Sequence, residues 1–159
     1  MSSKKKHKKH SKIANIKHAK KNPLSKKRVN TDFAKFSQIS IGVDIVQIAR
    51  IERLLTKHKE AFLKRFLRKS EIGLLESKGF ASASVAGFFA SKEACSKALG
   101  VGISQNLTFK DMILSYSSTK APQIALSKRA KKFFGNKAFS LSISHDGGVA
   151  IAVVCVYNL

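Results

Sequence analysis

Four polar residues occupy positions from which they could do chemistry: Asp44, Glu93, Lys97 and His145. Asp44 is the one charge in an apolar run at 39–46, where a carboxylate is costly unless it is paired, hydrogen-bonded or bound to a cation. Glu93 and Lys97 lie four residues apart in a segment with helical periodicity, so they share one helix face. His145 lies at the end of an alternating apolar segment. Two carboxylates from different elements could hold Mg²⁺ together with substrate phosphate oxygens, which predicts phosphoryl or pyrophosphate chemistry assisted by Lys97.

Each of these residues also has an ordinary structural explanation. A Glu followed four residues later by a Lys is a common stabilising pair on an exposed helix and is worth little. Asp44 could be a helix cap, because a helical pattern begins at Ile48. These residues alone leave both explanations open.

The segment that carries Glu93 and Lys97 predicts a long, buried central helix. Serines at 82 and 84 are candidate N-caps, and Gly100 supplies a left-handed stop. The apolar residues that recur at helical spacing are Val85, Phe88, Phe89, Cys95 and Leu99.

A basic helical pattern follows the strand that contains Asp44. Its basic residues alternate with apolar ones such as Phe62 and Phe66, which indicates a docking face for an acidic helix, although an ordinary charged surface helix is the other explanation. The basic residues expected to contact a partner are Arg50, Arg53, Lys57 and Arg65.

The remaining pattern predicts an α+β fold with an antiparallel sheet. A short helix opened by Ser70 comes first, and Ser117–Ala121 connects a hairpin near 112–126. Ser127–Phe134 is a basic helix ended by Gly135, and the last two strands meet at the turn 145–148. Strands and helices in this order are typical of an α+β domain.

The composition predicts one ordered domain and a basic arm. The chain has 159 residues, 43% of them hydrophobic, and a net charge of +22. Residues 1–40 hold 13 of the 31 Lys and Arg residues but only one acidic residue. We therefore predict a disordered arm at 1–38 and a folded domain at 39–159. Such an arm could bind nucleic acid or be a solvated tail, but the domain has no recognisable nucleic-acid motif, so nucleic-acid binding is the less favoured function.

The cysteines and hydropathy predict a soluble, cytoplasmic protein. Cys95 and Cys155 fall in a predicted helix and strand, as small core residues do in a reducing compartment. No apolar run reaches the roughly 20 residues of a membrane span, and the opening Lys-rich run lacks an apolar signal core.

Three motifs together resemble the holo-acyl-carrier-protein synthase family, the short trimeric class of 4′-phosphopantetheinyl transferases. They are Ile-Gly-Val-Asp-Ile-Val at 41–46 with Arg50-Ile51, Phe-Ala-Ser-Lys-Glu-Ala at 89–94 with Lys97-Ala98 and Gly-Val-Gly-Ile at 100–103, and Leu-Ser-Ile-Ser-His-Asp at 141–146. The resemblance covers about residues 39–157, and the arm lies outside it.

The resemblance implies an antiparallel sheet packed against the central helix. It also implies transfer of the 4′-phosphopantetheine of coenzyme A to a serine of apo-acyl carrier protein, releasing adenosine 3′,5′-bisphosphate, in support of fatty acid biosynthesis. Asp44 and Glu93 match Mg²⁺ ligands, and Glu93 or a metal-bound water matches the base. The coenzyme would lie between subunits of a homotrimer, and its expected contacts are Lys92, Ser96, Lys97, Gly100, Pro122, Ser144 and His145.

Two positions depart from the family pattern. Phe88 stands where an Arg is common, and Lys120-Ala121-Pro122 replaces a Gly-Lys-Pro turn. One phosphate contact is therefore altered, and Lys120 is a candidate to supply the missing charge.

Overall fold

The computed structural model describes residues 39–158, so the predicted arm at 1–38 lies outside the described residues. The strands are β1 (Ile39–Gln47), β2 (Met112–Tyr116), β3 (Pro122–Leu126), β4 (Lys137–Asp146) and β5 (Val149–Asn158). The helices are α1 (Ile48–Phe66), α2 (Lys69–Glu76), α3 (Ser82–Ala98) and α4 (Lys128–Phe134), and a 3₁₀ turn at Phe109–Asp111 precedes β2. Within 39–158, no helix is long and apolar enough to cross a membrane.

Two antiparallel sheets form the β part of the domain. The larger sheet has the order β1-β5-β4, and β2 pairs with β3 in a separate hairpin. Gly147 and Gly148 join β4 to β5 with φ angles of +54° and +81°, the conformation that a two-residue hairpin turn requires. The predicted turn and the predicted α+β class are confirmed.

The helix α3 packs across the inner face of the larger sheet. Buried small residues of β5, including Ala150 and Ala152, lie on this face. Gly42 in β1 allows an unusually close approach, because a Cβ there would lie 2.0 Å from the carbonyl oxygen of Ala94 and 2.5 Å from the amide nitrogen of Ala98. A side chain at residue 42 would push α3 away from β1 and from Asp44.

The predicted C-terminal end of α3 at Gly100 is confirmed, whereas its predicted N-cap residues are wrong. Gly100 has φ +74°, and its N–H donates to the Lys97 carbonyl. The N–H of Val101 donates to the Ser96 carbonyl, and the two hydrogen bonds together make a Schellman motif. The N-cap position belongs to Ala81, which has no side-chain acceptor, so neither Ser82 nor Ser84 caps this helix.

The starts of α2 and α4 have side-chain acceptors, whereas Gln47 at the start of α1 makes no side-chain cap hydrogen bond. The backbone N–H of Arg68 donates to the Glu71 carboxylate at 2.7 Å, so α2 begins at Lys69 and not after Ser70 as predicted. Ser127 caps α4 through the N–H of Ala130 at 3.1 Å. α1 is kinked at His58, where φ is −143°.

The cysteines are free thiols within the domain. Cys95 is fully buried in α3, and burial raises the pKa of its thiol to about 12. Cys155 is half-buried in β5. Cys95 therefore is the small core residue that its position predicted.

Candidate active site

Asp44 and Lys97 form an ion pair where β1 meets α3. The Lys97 ammonium lies 2.7 Å from Asp44 Oδ1 and also donates to the Val43 carbonyl at 3.1 Å. The Asp44 side chain is 15% exposed and that of Lys97 is 52% exposed, so the pair faces solvent on one side. Asp44 lies inside β1, and Gln47 holds the N-cap position of α1, so the helix-cap explanation is wrong.

Glu93 lies close enough to this pair to respond to its charges. Burial raises the pKa of Glu93, and the nearby Asp44 carboxylate raises it further, while Lys97 and Arg50 oppose the change. Lys97 is ion-paired with Asp44 and not with Glu93, so the simple i,i+4 surface pair does not describe this helix. The three residues form one electrostatic cluster, as the spacing of Asp44, Glu93 and Lys97 suggested.

A half-enclosed aromatic pocket of about 380 Å³ lies beside Glu93. Its rings are in mutual contact, with Phe66 and Phe89 centroids 5.3 Å apart and Phe89 and Phe109 also 5.3 Å apart. The lining residues of this aromatic pocket are Arg50, Leu54, Phe62, Arg65, Phe66, Phe89, Glu93 and Phe109. Two of the predicted docking residues, Arg50 and Arg65, therefore share one cavity with the candidate catalytic carboxylate of Glu93.

The four predicted docking residues divide into two pairs. Arg50 and Arg65 line the aromatic pocket, whereas Arg53 and Lys57 are exposed on α1 and do not line it. The structure thus separates residues at the candidate site from residues at its margin.

A second pocket of about 190 Å³ brings together Pro122 of β3 and His145 of β4. Phe88, which is 2% exposed, forms part of its wall with Tyr116, and the two ring centroids are 6.1 Å apart. We call it the Pro122 pocket, and its lining residues are Lys78, Ala83, Ser84, Gly87, Phe88, Tyr116, Pro122, Ile143 and His145.

The positive charge in the Pro122 pocket comes from Lys78. Its ammonium donates to the Tyr116 hydroxyl at 2.8 Å and lies 4.2 Å from the centre of that ring. Lys120, the candidate for this role from the sequence, is exposed in the β2–β3 loop and does not line the pocket. Ser144 and Gly100 are exposed, and neither lines the two pockets described here.

Two of the predicted coenzyme contacts face the protein interior. Lys92 is fully buried, and its ammonium donates to Glu71 and to the carbonyls of Phe66 and Phe109. Ser96 is also fully buried, and its hydroxyl donates to the Glu93 carbonyl at 2.8 Å. Both side chains are fully enclosed by the protein, so we correct both assignments: Lys92 and Ser96 are interior residues.

The sequence patterns did not identify two buried, hydrogen-bonded carboxylates, Glu71 and Asp111. Asp111 is 4% exposed and accepts hydrogen bonds from Thr108, Ser127 and Arg129. Burial alone would raise the pKa of Asp111, but these hydrogen bonds outweigh it and hold the pKa well below its usual value. The only sequence signal for either residue was an acidic group at the third position of a helical turn.

Asp44 and Glu93 form a pair of carboxylates and not a larger ligand cluster. Among residues 39–158, no group of three or more His, Cys, Asp or Glu side chains is arranged to hold a metal ion. Mg²⁺ commonly takes one or two protein carboxylates and completes its coordination with water and phosphate oxygens. The Asp44 carboxylate lies near enough to Glu93 to raise its pKa in addition to the effect of burial, so the donor set of two neighbouring carboxylates fits a hard divalent cation such as Mg²⁺.

The family follows from a comparison with known proteins. Residues 40–154 match the model of the 4′-phosphopantetheinyl transferase superfamily, and the chain belongs to this superfamily. More particularly, it is similar to the holo-acyl-carrier-protein synthase of Helicobacter acinonychis, with 55% identity over 116 residues that cover 73% of this chain and 98% of the relative. The same enzyme of Campylobacter curvus is 49% identical over 116 residues, again covering 73% and 98% of the two chains.

Solved structures give the same result. The crystal structure of Helicobacter pylori holo-acyl-carrier-protein synthase in complex with coenzyme A matches with a TM-score of 0.67 and 55% identity, covering 73% of this chain and 98% of that one. The Neisseria meningitidis enzyme matches with a TM-score of 0.69 and 30% identity, covering 75% and 98%. The family predicted from the three motifs is confirmed.

Proposed function

We propose that this protein is a holo-acyl-carrier-protein synthase that transfers 4′-phosphopantetheine from coenzyme A to a serine of apo-acyl carrier protein, in support of fatty acid biosynthesis in the cytoplasm. The observation that carries the proposal is the Asp44–Lys97 ion pair near Glu93, which itself lines a pocket together with Arg50 and Arg65. Membership of the superfamily supports the same reaction.

In this proposal the two carboxylates hold Mg²⁺. Asp44 and Glu93 supply oxygen ligands, and the bound ion would neutralise charge that develops on the pyrophosphate. The Lys97 side chain is half-exposed, so its ammonium can exchange its contact with Asp44 for a phosphate oxygen. Pairing with Asp44 keeps the ammonium at the site until the substrate arrives.

The serine of the carrier is the nucleophile. Its oxygen forms a bond to the phosphorus that carries the pantetheine, the bond from that phosphorus to the bridging oxygen breaks, and adenosine 3′,5′-bisphosphate leaves with the electron pair. Glu93 accepts the serine proton as the general base. Lys97 stabilises the negative charge on the phosphate oxygens.

The Pro122 pocket holds the nucleotide end of coenzyme A. Pro122 and Phe88 supply apolar walls, while Lys78 and His145 supply polar contacts. Gly100 and Ser144 remain candidate contacts at the margin of the site, as the family resemblance implies.

The carrier docks at the aromatic pocket. Arg50 and Arg65 pair with acidic residues of the carrier, and the phenylalanine rings between them keep water away from these charges. Arg53 and Lys57 extend the positive face along α1. A carrier held there would present its serine to Glu93.

The active protein is a homotrimer. The outer face of the larger sheet exposes an unusually apolar row on β1, with Ile41 64%, Val43 50% and Ile45 62% exposed. Monomeric proteins seldom expose contiguous apolar surface of this kind, and closed symmetric assembly is the usual way to cover it. In the proposed trimer this face packs on neighbouring copies, and each cleft between copies holds coenzyme A. Light scattering of the full chain at assay concentration should give three times the monomer mass, and a monomer with full activity would contradict the shared site.

The transferase domain spans residues 39–159, and the basic arm at 1–38 is not required for transfer. The family match begins at residue 40. A chain that starts at residue 39 should therefore keep the full transfer rate.

The direct test is mass spectrometry of apo-acyl carrier protein incubated with coenzyme A, Mg²⁺ and the full chain. The carrier should gain the mass of one phosphopantetheine on its serine. A carrier that stays unmodified with this protein, but is modified by a relative in parallel, would refute the proposed function.

A further inference from the structure

Lys92 makes a complete set of hydrogen bonds below the aromatic pocket. Its side chain is fully buried, and its ammonium donates to the Phe66 carbonyl at 2.8 Å, to the Phe109 carbonyl at 3.1 Å and to Glu71 Oε2 at 2.9 Å. An ammonium has three N–H groups, so these contacts use its whole donor capacity. Lys92 therefore fixes the backbone at two residues that are distant in sequence.

Glu71 continues the same network. It is also fully buried, and it accepts from the backbone N–H of Arg68 at 2.7 Å and of Leu114 at 2.9 Å, in addition to Lys92. The Lys92–Glu71 pair thus ties the end of α1, the start of α2, the 3₁₀ turn and β2 to the middle of α3.

The residues held by Lys92 are residues of the candidate site. Phe66 and Phe109 line the aromatic pocket, and Glu93, which follows Lys92 directly, lines it as well. The carbonyls of Phe66 and Phe109 converge on one nitrogen, so their rings keep a fixed spacing around Phe89. One ammonium therefore sets the relative positions of three parts of the pocket.

We propose that Lys92 and Glu71 are positioning residues for the transfer reaction: their buried ion pair holds the aromatic pocket and Glu93 in the geometry that presents the carrier serine for proton removal. This inference rests on the proposed function. It assigns to the pair a role in geometry, because a buried ion pair is a poor source of net stability and well-packed apolar residues often replace one without loss. Neither residue touches a substrate in this account.

A neutral double variant separates positioning from simple stabilisation. Lys92→Met together with Glu71→Gln removes both charges at nearly constant volume and leaves no unpaired buried charge, whereas each single variant leaves one. The double variant should unfold at a higher temperature than Lys92→Met alone. Its rate of transfer per folded molecule should still fall at least 10-fold, and the KM for carrier should rise while the KM for coenzyme A stays within 2-fold.

Ser91→Ala is the matched control. Ser91 is the neighbour of Lys92 and is equally buried, but its hydroxyl donates to the Gly87 carbonyl within α3 at 2.7 Å and not to the pocket. This variant should keep the wild-type rate per folded molecule and the wild-type KM for carrier.

The outcomes are distinct. Wild-type protein that leaves the carrier unmodified would overturn the proposed function. Wild-type protein that transfers normally, beside a folded double variant with an unchanged rate and KM for carrier, would overturn the positioning role alone. If the double variant does not fold, Lys92→Arg decides, because the larger guanidinium keeps the charge but cannot place its N–H groups where the ammonium did. Folded Lys92→Arg protein should lose rate, and a full rate would contradict the proposal.

Discussion

Two lysines five residues apart on α3 make two very different ion pairs. Lys97 pairs with Asp44 at a partly open surface, where the lysine side chain is 52% exposed. Lys92 pairs with Glu71 where both side chains are 0% exposed. Solvent weakens the first pair, so its members can change partners, whereas the second cannot open without leaving a buried charge. This contrast underlies our proposal that the exposed pair takes part in the chemistry while the buried pair maintains the shape around it.

Removing a carboxylate from the cluster of Asp44, Glu93 and Lys97 should have the largest effect on the transfer rate. Asp44→Ala and Glu93→Ala should each lower the transfer rate by at least about 100-fold, since each removes a proposed Mg²⁺ ligand and Glu93→Ala also removes the proposed base. The matched control is Glu52→Ala, which removes an exposed carboxylate from α1. Steady-state rates at several Mg²⁺ concentrations provide the measurement, and either variant with near-normal turnover at limiting Mg²⁺ would make the ligand assignment wrong.

Reversing charge at the aromatic pocket should have the next largest effect. Arg50→Glu and Arg65→Glu should raise the KM for carrier about 10-fold or more and leave the KM for coenzyme A nearly unchanged, because both arginines line the pocket proposed to dock the carrier. Arg53→Glu is the control for net charge and should act more weakly, since Arg53 lies outside this pocket. If all three reversals act equally, the docking depends on overall charge and not on the pocket.

A smaller effect is expected from Lys78 in the Pro122 pocket. Lys78→Ala should raise the KM for coenzyme A several-fold, because Lys78 supplies the positive charge of that pocket, while Lys120→Ala should change it little. Kinetics at saturating carrier would measure the difference. If Lys120→Ala raised the KM for coenzyme A more than Lys78→Ala did, Lys120 in the loop and not Lys78 would supply the positive charge.

Asp111 should affect stability and its pH dependence with little change in the rate per folded molecule. Asp111→Asn should lower the free energy of unfolding by about 1–3 kcal/mol, because it weakens buried hydrogen bonds to a charged group. The folded protein holds the pKa of Asp111 below its unfolded value, so its contribution is present above the unfolded pKa of about 4 and is lost as pH falls through the lower, folded pKa. Urea unfolding of both proteins at pH 7 and near pH 3 should show a smaller difference at the lower pH, and an equal difference would refute this account.

Local features were predictable from the sequence because their causes are local. Gly100 ends α3, and Gly147 and Gly148 form the turn between β4 and β5, because each of these three positions needs a backbone conformation that glycine adopts easily. The predicted start of α2 at Ser70 was wrong. The side chain that accepts a backbone N–H at the start of this helix is Glu71, which the hydrophobic pattern does not mark.

Long-range contacts were beyond the sequence patterns. Lys92 occupies the same motif as Glu93, and its burial depends on Glu71 and two carbonyls brought in by other elements. The sequence suggested that Asp44, Glu93 and Lys97 act together, and the family resemblance implied coenzyme contacts at Lys92 and Ser96, which the structure places in the interior. Phe88 likewise showed only that an expected charge was missing, while the structure was needed to find Lys78 in its place.

Calorimetric titration of Mg²⁺ into the full chain with bound coenzyme A measures whether the cluster of Asp44, Glu93 and Lys97 holds the metal ion. Wild-type protein should bind one Mg²⁺ per site, and Glu93→Ala should lose most of this affinity while still binding coenzyme A through the Pro122 pocket. Glu52→Ala should bind the ion like wild type. If Glu93→Ala binds Mg²⁺ as tightly as the wild-type protein, the exposed cluster of Asp44, Glu93 and Lys97 is not the metal and phosphate site.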